Sequence, residues 1–396
     1  MEDTFPKLLL RNYQRWGASR VALRKKEYGI WREYSWEGCY QKVKALFLGL
    51  ETTGLARGRK VSILGDSNPE WFWSELAVQT AGGVVIGLNP GSSPEELKFV
   101  LQQSGTELVL ARDQEQVDKL LEIKDELPSL QKIIYWIDKG LRHYDNPILV
   151  SLAEVTKLGE EYERSHPGYF EQSIALGKGD DVAVILYTSG TAGSPKAVPA
   201  TYKFLLSSVE SALLLNPVHE GDEYVSVMNP GWFFEQTLGF GACLLVGQKL
   251  NFAERADTAA LDLREISPHT LVYPSLVWDM ITSGIQENIA KGTWLKRTLF
   301  KRSLSIGYKI ADLSRENHRV NILRRFRYLL AQLVVFHPLR DKHGLNRARA
   351  VYTAGNAVSP ETRRFFRAIG VNLQQIFGST EDGIVSVEPG DELRLE

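Results

Sequence analysis

Between residues 60 and 111 short apolar, β-branched runs alternate with longer amphipathic stretches, and that alternation limits the folds open to this chain more than anything else in it. Lys60–Leu64 (KVSIL), Gly83–Leu88 (GVVIGL) and Glu107–Ala111 (ELVLA) read as strands. Between them lie Pro69–Ala81 (PEWFWSELAVQTA) and a helix opening at Ser93. The rhythm is βαβ. Within each strand the apolar residues are nearly continuous, as expected where helices cover both faces of a mainly parallel sheet. Ser93 as N-cap, Pro94 at the first helical position, Glu96 three residues after the cap and Gly105 at the far end define the second helix closely. The expectation is a layered α/β fold. A chain of 396 residues also exceeds what one core usually serves, so two or more subdomains are expected.

The same grammar recurs later. Asp181–Tyr187 is an apolar strand followed by TSGTAGSPK, a short strand Lys196–Thr201 and a helix Tyr202–Leu215. A strand beginning at Ala350 runs into the small-residue turn AGNA and a helix capped by Ser359 with Pro360 behind it. Val371–Phe377 is another strand, ending in GSTEDG. In open α/β sheets ligands bind beyond the carboxyl ends of strands, and all three loops occupy such ends. Ser189, Gly190, Thr191 and Gly193 offer unobstructed backbone N–H groups and hydroxyls, and Lys196 adds a cation suited to phosphate. The loop is not a Walker motif, because Pro195 stands where the second glycine belongs. Taken singly it is equally a polar β-turn. Glu381 behind Thr380 is a natural Mg²⁺ and phosphate partner; alone, such a residue is far more often an ordinary surface acid.

Composition narrows the function classes. A hydrophobic share of 43% and a charged share of 24% fit a globular protein, and no run approaches the roughly 20 apolar residues of a membrane span. The opening MEDTFPKLLLRNYQRW lacks the form of a secretory signal, so a cytoplasmic location is expected. Cys39 and Cys243 stand apart, without metal or disulfide spacing, and read as core thiols. The net charge of −1 conceals a basic stretch: Lys291–Arg349 holds 15 Lys or Arg against Asp312, Glu316 and Asp341. Trp294, Leu295, Leu299, Phe300 and Leu304 interleave with those charges. That pattern fits a solvated helical face or an interfacial helix making peripheral contact with a membrane. No aromatic signature of nucleic-acid binding accompanies it, so no nucleic-acid partner is expected.

Taken in order, YTSGTAGSPKAV, TAGNAVSPE and IFGSTED resemble the phosphate-loop, adenine-loop and aromatic-Gly-x-Thr-Glu signatures of the AMP-forming acyl-CoA synthetases. SNPEW at Ser67–Trp71, SSPEEL, DQEQVDKLLEI, LRHYDNP and LDLREISPHTLVYPSLVW resemble segments of the long-chain fatty-acid branch, and the resemblance covers nearly the whole chain. It implies the layered αβαβα large domain of adenylate-forming enzymes, with mainly parallel sheets in two interleaved subdomains, near 60–215 and 1–59 together with 216–385. It also implies a reaction. A fatty carboxylate attacks the α-phosphorus of ATP, giving acyl-adenylate and pyrophosphate, and the thiol of coenzyme A then displaces AMP. Ser189, Gly190, Thr191 and Lys196 would hold the pyrophosphate end, Thr188 and Glu381 would bind Mg²⁺, and Thr380 would meet the α-phosphate. Lys196, Thr380 and Glu381 are thereby the implied catalytic residues. Gly355, Asn356 and Ala357 would line the adenine pocket beside Phe377 and Gly378. Ala197 and Phe377 depart from the family's usual Gly and Tyr, small changes for backbone and stacking roles. Trp232 aligns where many members have His; it is either a gate to the acyl tunnel or a plain core aromatic. Behind Glu381 the sequence lacks the family's ribose-binding Asp, hinge and late catalytic Lys. The expectation is an incomplete N-terminal adenylation domain, weak or inactive alone, with a nucleotide- or acyl-binding protein as the alternative.

Overall fold

A computed structural model describes residues 2–55, 57–188, 195–315 and 321–387 of the chain. Fifteen strands are present among them: β1 (Val21–Glu27), β2 (Ile30–Ser35), β3 (Lys60–Leu64), β4 (Val84–Leu88), β5 (Leu108–Ala111), β6 (Lys132–Tyr135), β7 (Leu149–Ser151), β8 (Val182–Thr188), β9 (Lys196–Thr201), β10 (Glu223–Ser226), β11 (Lys249–Phe252), β12 (Thr270–Pro274), β13 (Ala350–Ala354), β14 (Leu373–Ser379) and β15 (Gly383–Val387). The helices of the first half are α1 (Phe5–Trp16), α2 (Trp36–Thr52), α3 (Pro69–Thr80), α4 (Pro94–Ser104), α5 (Gln114–Glu122), α6 (Leu152–Ser165), α7 (Tyr169–Leu176) and α8 (Tyr202–Leu215). Those of the second are α9 (Ala242–Val246), α10 (Ala259–Ile266), α11 (Ser275–Ala290), α12 (Trp294–Arg315), α13 (Ile322–Ala331), α14 (His337–Lys342) and α15 (Pro360–Ala368). They form two compact units, residues 1–209 with 226–252, and 210–225 with 253–396.

The first unit is built on a seven-stranded sheet of order β7-β6-β5-β3-β4-β8-β9. Neighbours from β7 to β8 run parallel, and β9 closes one edge as an antiparallel partner of β8. Central β3 is buried along Val61–Leu64, which is why its sequence is apolar without alternation. On one face Leu64, Ile86, Val109 and Ile133 pack against Leu97 and Leu101 of α4 and Val117 and Leu120 of α5. α3 is buried on nearly all its faces, its polar Ser74, Glu75 and Gln79 included. α4 carries the full capping box, with the Ser93 hydroxyl accepting from the Glu96 N–H and the Glu96 carboxylate accepting from the Ser93 N–H at 3.0 Å; Gly105 ends it in the left-handed region. This unit also holds a three-stranded piece in which β1 pairs parallel with β11 and antiparallel with β2.

In the second unit β10, β12, β13 and β14 run parallel in that order, with β15 antiparallel at the edge. Both sheets are thus mainly parallel with helices packed upon them, the α/β class expected. One local departure is instructive. DQEQVDKLLEIKDELPSL reads as one helix over 113–130, yet α5 stops at Glu122 and a single 3₁₀ turn, Lys124–Glu126, follows. Pro128 excludes helical geometry from Leu127, whose ψ is 73°. Cys39 and Cys243 are both buried free thiols.

Candidate functional site

In the first unit the chemistry gathers at the carboxyl edge of the seven-stranded sheet. Thr188 is the last residue of β8, and in the β8–β9 register it stands directly opposite Lys196, the first residue of β9. A hydroxyl and an ammonium therefore flank the two ends of the small-residue loop. Ser189, Gly190, Thr191 and Gly193 themselves lie outside the described residues. Lys196 is exposed and Thr188 half-buried.

A second segment, Asn229–Trp232, is tied to the same edge. The Asn229 amide donates to the carbonyls of Gly65, just past β3, and Leu88, the end of β4, both at 3.2 Å. Its own oxygen accepts from the Gly231 N–H at 2.8 Å. The fit leaves no room for side chains: a Cβ on Gly87 would lie 2.4 Å from the Gly231 Cα. A glycine inside a strand signals such a close backbone approach, and Asn-Pro-Gly signals a turn; together these were the sequence marks of a contact that Trp232 alone did not reveal. Trp232 is half-buried at this edge, its ring 5.1 Å from that of Phe234. It is neither a closed core aromatic nor free of neighbours.

Beneath this segment sits a fully buried carboxylate. Glu75 of α3 accepts from Trp71 Nε1 at 3.1 Å, Gln79 Nε2 at 3.2 Å and Gln236 Nε2 at 2.9 Å. Gln236 also donates to the Pro230 carbonyl at 2.8 Å, so the network links α3 to the turn carrying Trp232. Burial pushes the Glu75 carboxyl up to about 7, and the three N–H donors only partly oppose that. Gln236 lies in a π-helical stretch, Glu235–Gly241. A wide turn of that kind is uncommon and recurs at functional sites.

In the second unit two loops emerge side by side. β13 ends at Ala354, and Gly355, Asn356 and Ala357 follow, all exposed. β14 runs parallel to β13 with Val351 opposite Leu373 and Thr353 opposite Gln375. Phe377, two residues past the last of these pairs, is 51% exposed. Past it the chain turns tightly into β15. A Cβ on Gly378 would lie 2.4 Å from the Gly383 carbonyl oxygen, so only glycine fits there. The Ser379 hydroxyl accepts from the N–H groups of Glu381 at 3.2 Å and Asp382 at 3.0 Å, and donates to the Asp382 carboxylate at 2.9 Å. In that turn Thr380 is half-buried and Glu381 exposed. On β13 itself, Trp278 Nε1 donates to the Tyr352 carbonyl at 3.0 Å. Ser359 caps α15 by accepting from the Thr362 N–H at 3.1 Å, and donates to Asp279 at 3.2 Å.

Each unit thus carries one group of the sequence-identified residues: Thr188, Lys196 and Trp232 in the first, and Gly355–Ala357, Phe377, Gly378, Thr380 and Glu381 in the second. Among the described residues no group of three or more His, Cys, Asp or Glu could hold a metal ion. The Thr188 hydroxyl in the first unit and the Glu381 carboxylate in the second are each hard oxygen donors, of the type Mg²⁺ takes. The thiols are inert, for burial drives Cys39 up to about 12 and raises Cys243 as well.

The AMP-binding enzyme family pattern matches residues 10–395. The chain belongs to the AMP-binding enzyme family. Within the family, its curated relatives include the long-chain-fatty-acid–CoA ligase ACSBG2 of Xenopus laevis, 25% identical over 368 residues, covering 91% of this chain and 49% of the relative. Human ACSBG2 is 26% identical, covering 96% of this chain and 56% of the relative. The chain spans about half the length of these relatives. The fold is shared with the anthranilate CoA ligase AuaEII in complex with anthranoyl-AMP, with a TM-score of 0.69 at 17% identity over 99% of this chain and 63% of that one. It is shared also with the long-chain-fatty-acid–CoA ligase FadD1 of Archaeoglobus fulgidus, TM-score 0.68 at 14% identity over 100% of this chain and 67% of that one.

Proposed function

We propose that this chain is the nucleotide- and acid-binding part of an AMP-forming ligase that activates a long-chain fatty acid, first as acyl-adenylate and then as its coenzyme A thioester. The observation that carries the reading is the pairing of Thr188 with Lys196 across β8 and β9 at the mouth of the small-residue loop. There a hydroxyl and a cation lie at the carboxyl edge of a parallel sheet, where such folds take their ligands.

The chemistry asks for little covalent help and much neutralisation of charge, because a carboxylate must approach a phosphorus already surrounded by anionic oxygens. Lys196 holds the departing pyrophosphate and offsets its growing charge. Ser189, Gly190 and Thr191 serve the same phosphates. Thr380 donates to an α-phosphate oxygen, and Phe377 stacks on the adenine beside Gly355, Asn356 and Ala357. Thr188 of the first unit and Glu381 of the second would each offer a hard oxygen to Mg²⁺, which when bound would screen the phosphate oxygens. Trp232 borders the acyl entrance, and the buried Glu75–Gln236 link fixes the turn that carries it.

A thermal-shift panel tests this. ATP, AMP and a non-hydrolysable palmitoyl-adenylate analogue should each raise the melting temperature, the analogue most; a ligand at 100 times its Kd stabilises by about 2.7 kcal/mol. A butyryl analogue should raise it less than the palmitoyl one. GTP should do little. Equal shifts for ATP and GTP, or none for any adenylate, would remove the proposal; equal shifts for butyryl and palmitoyl analogues would remove its long-chain part alone.

A further inference from the structure

The basic stretch of the second unit folds in an unusual way. In α13 and the π-helical turn Gln332–Phe336 that continues it, the residues facing inward are Tyr328, Ala331 and Phe336. Tyr328 donates to the Ala368 carbonyl at 3.3 Å and accepts from Gln332 Nε2 at 2.6 Å, and Arg340 Nη1 donates to Gln332 Oε1 and the Ile369 carbonyl, both at 2.5 Å. These bonds fix the rotation of the helix. What they leave outside is apolar: Ile322 is 83% exposed, Phe326 65% and Leu333 73%, with Leu329 and Leu330 about half exposed between them. Positions 322, 326, 329, 330 and 333 follow helical spacing, so they form one outward stripe. Exposed Arg325 and Arg327 flank it, one on each side.

The start of α12 repeats the composition. Trp294 is 71% exposed and Leu295 66%, beside exposed Lys296, Arg297, Lys301 and Arg302. An apolar cavity of about 250 Å³ lies among α11, the start of α12, the Gln332–Phe336 turn and α14, lined by Ile285, Ile289, Leu299, Phe300, Val334 and Leu339 with Lys296 and Lys342. Leu299 and Val334 are themselves partly exposed. The described acids of the stretch do not cancel its charge, for Asp312 is held by Arg364 at 2.6 Å and Asp341 by Arg264 at 3.0 Å. A helix whose apolar side faces solvent while its other side is pinned to the core is the reverse of an ordinary surface helix. With cations along its flanks, it has the form of a helix lying in a membrane interface.

We infer that the outer face of α13, with the start of α12, docks on the surface of an anionic lipid bilayer, inserting the Ile322–Leu333 stripe while Arg325 and Arg327 meet lipid phosphates. Among the described residues no helix is long and apolar enough to cross a membrane, so the contact is interfacial. Charge complementarity selects a bilayer over a second copy, since two such faces would bring their arginines together.

The test is co-sedimentation of the purified chain with vesicles of phosphatidylcholine alone or with 30% phosphatidylglycerol. Binding should be at least tenfold stronger to the anionic vesicles and weaken in 1 M salt. Replacing Arg325 and Arg327 together by Gln should weaken it about 25-fold, at roughly fivefold per cation. Phe326→Ser with Leu330→Ser should weaken it at least tenfold, with the melting temperature and ATP-induced shift unchanged. Binding that ignores lipid charge, or both variants sedimenting like the wild type, would overturn the inference. So would concentration-dependent dimers that the serine variant dissolves, without vesicle binding. The readout is lipid association, so its failure leaves the adenylation proposal standing, and the reverse holds too.

Discussion

Glu75 makes a quantitative claim about stability. Its carboxyl is fully buried and pushed up to about 7 from an ordinary 4.5. The folded state therefore favours the protonated form. Below about pH 4.5 folded and unfolded chains both hold the proton; between there and about 7 only the folded chain does, so stability falls as pH rises through that window and levels off above it. At 1.4 kcal/mol per pH unit the full window amounts to about 3 kcal/mol, an order-of-magnitude figure. Glu75→Gln removes the titration while keeping shape and an acceptor oxygen. Urea unfolding followed by tryptophan fluorescence, at pH 5 and pH 8, reads the difference. The wild type should lose about 2 to 3 kcal/mol more than Glu75→Gln between the two pH values; taking the difference between the proteins cancels the other titrating groups, provided they do not couple to Glu75. Identical pH dependence in the two would refute the assignment of a protonated buried carboxyl.

Gly87→Ala places a Cβ 2.4 Å from the Gly231 backbone, so differential scanning calorimetry should show a loss of about 1 to 3 kcal/mol or more; an unchanged melting temperature would mean that the Asn229–Trp232 turn is not seated there. Ser359→Ala removes the cap of α15 and a hydrogen bond to Asp279, and should cost about 1 kcal/mol in a chemical melt. Trp232→Ala should change the thermal shift given by a palmitoyl-adenylate analogue while leaving that of AMP alone; equal changes in both would make the ring a packing residue only.

Much of this architecture is legible residue by residue. The α4 capping box, the Ser359 cap with Pro360 and the apolar run of β3 each act locally, and each appears where the chain pattern sets it. The three loops at strand ends were legible for the same reason, being bounded by strands whose composition is unambiguous. What sequence does not carry is partnership. Nothing in VALRKKE or KLNF says that β1 pairs with β11, because pairing follows from shared burial of distant segments. Glu75 looked like any helical acid until Trp71, Gln79 and Gln236 closed around it. Helical spacing makes ILRRFRYLL amphipathic, but the side that faces the protein is decided by Tyr328 meeting the end of α15.

The account stands or falls most directly on nucleotide binding at the β8–β9 mouth. Isothermal titration of ATP with Mg²⁺ into the wild type and into Lys196→Ala measures it. The wild type should bind one ATP saturably, and Lys196→Ala should bind at least tenfold more weakly, since it removes a charge-assisted contact to phosphate. AMP, which lacks the pyrophosphate, should bind the two proteins alike. Absence of ATP binding, or equal ATP affinity in the two proteins, would contradict the assignment of this loop as the phosphate cradle.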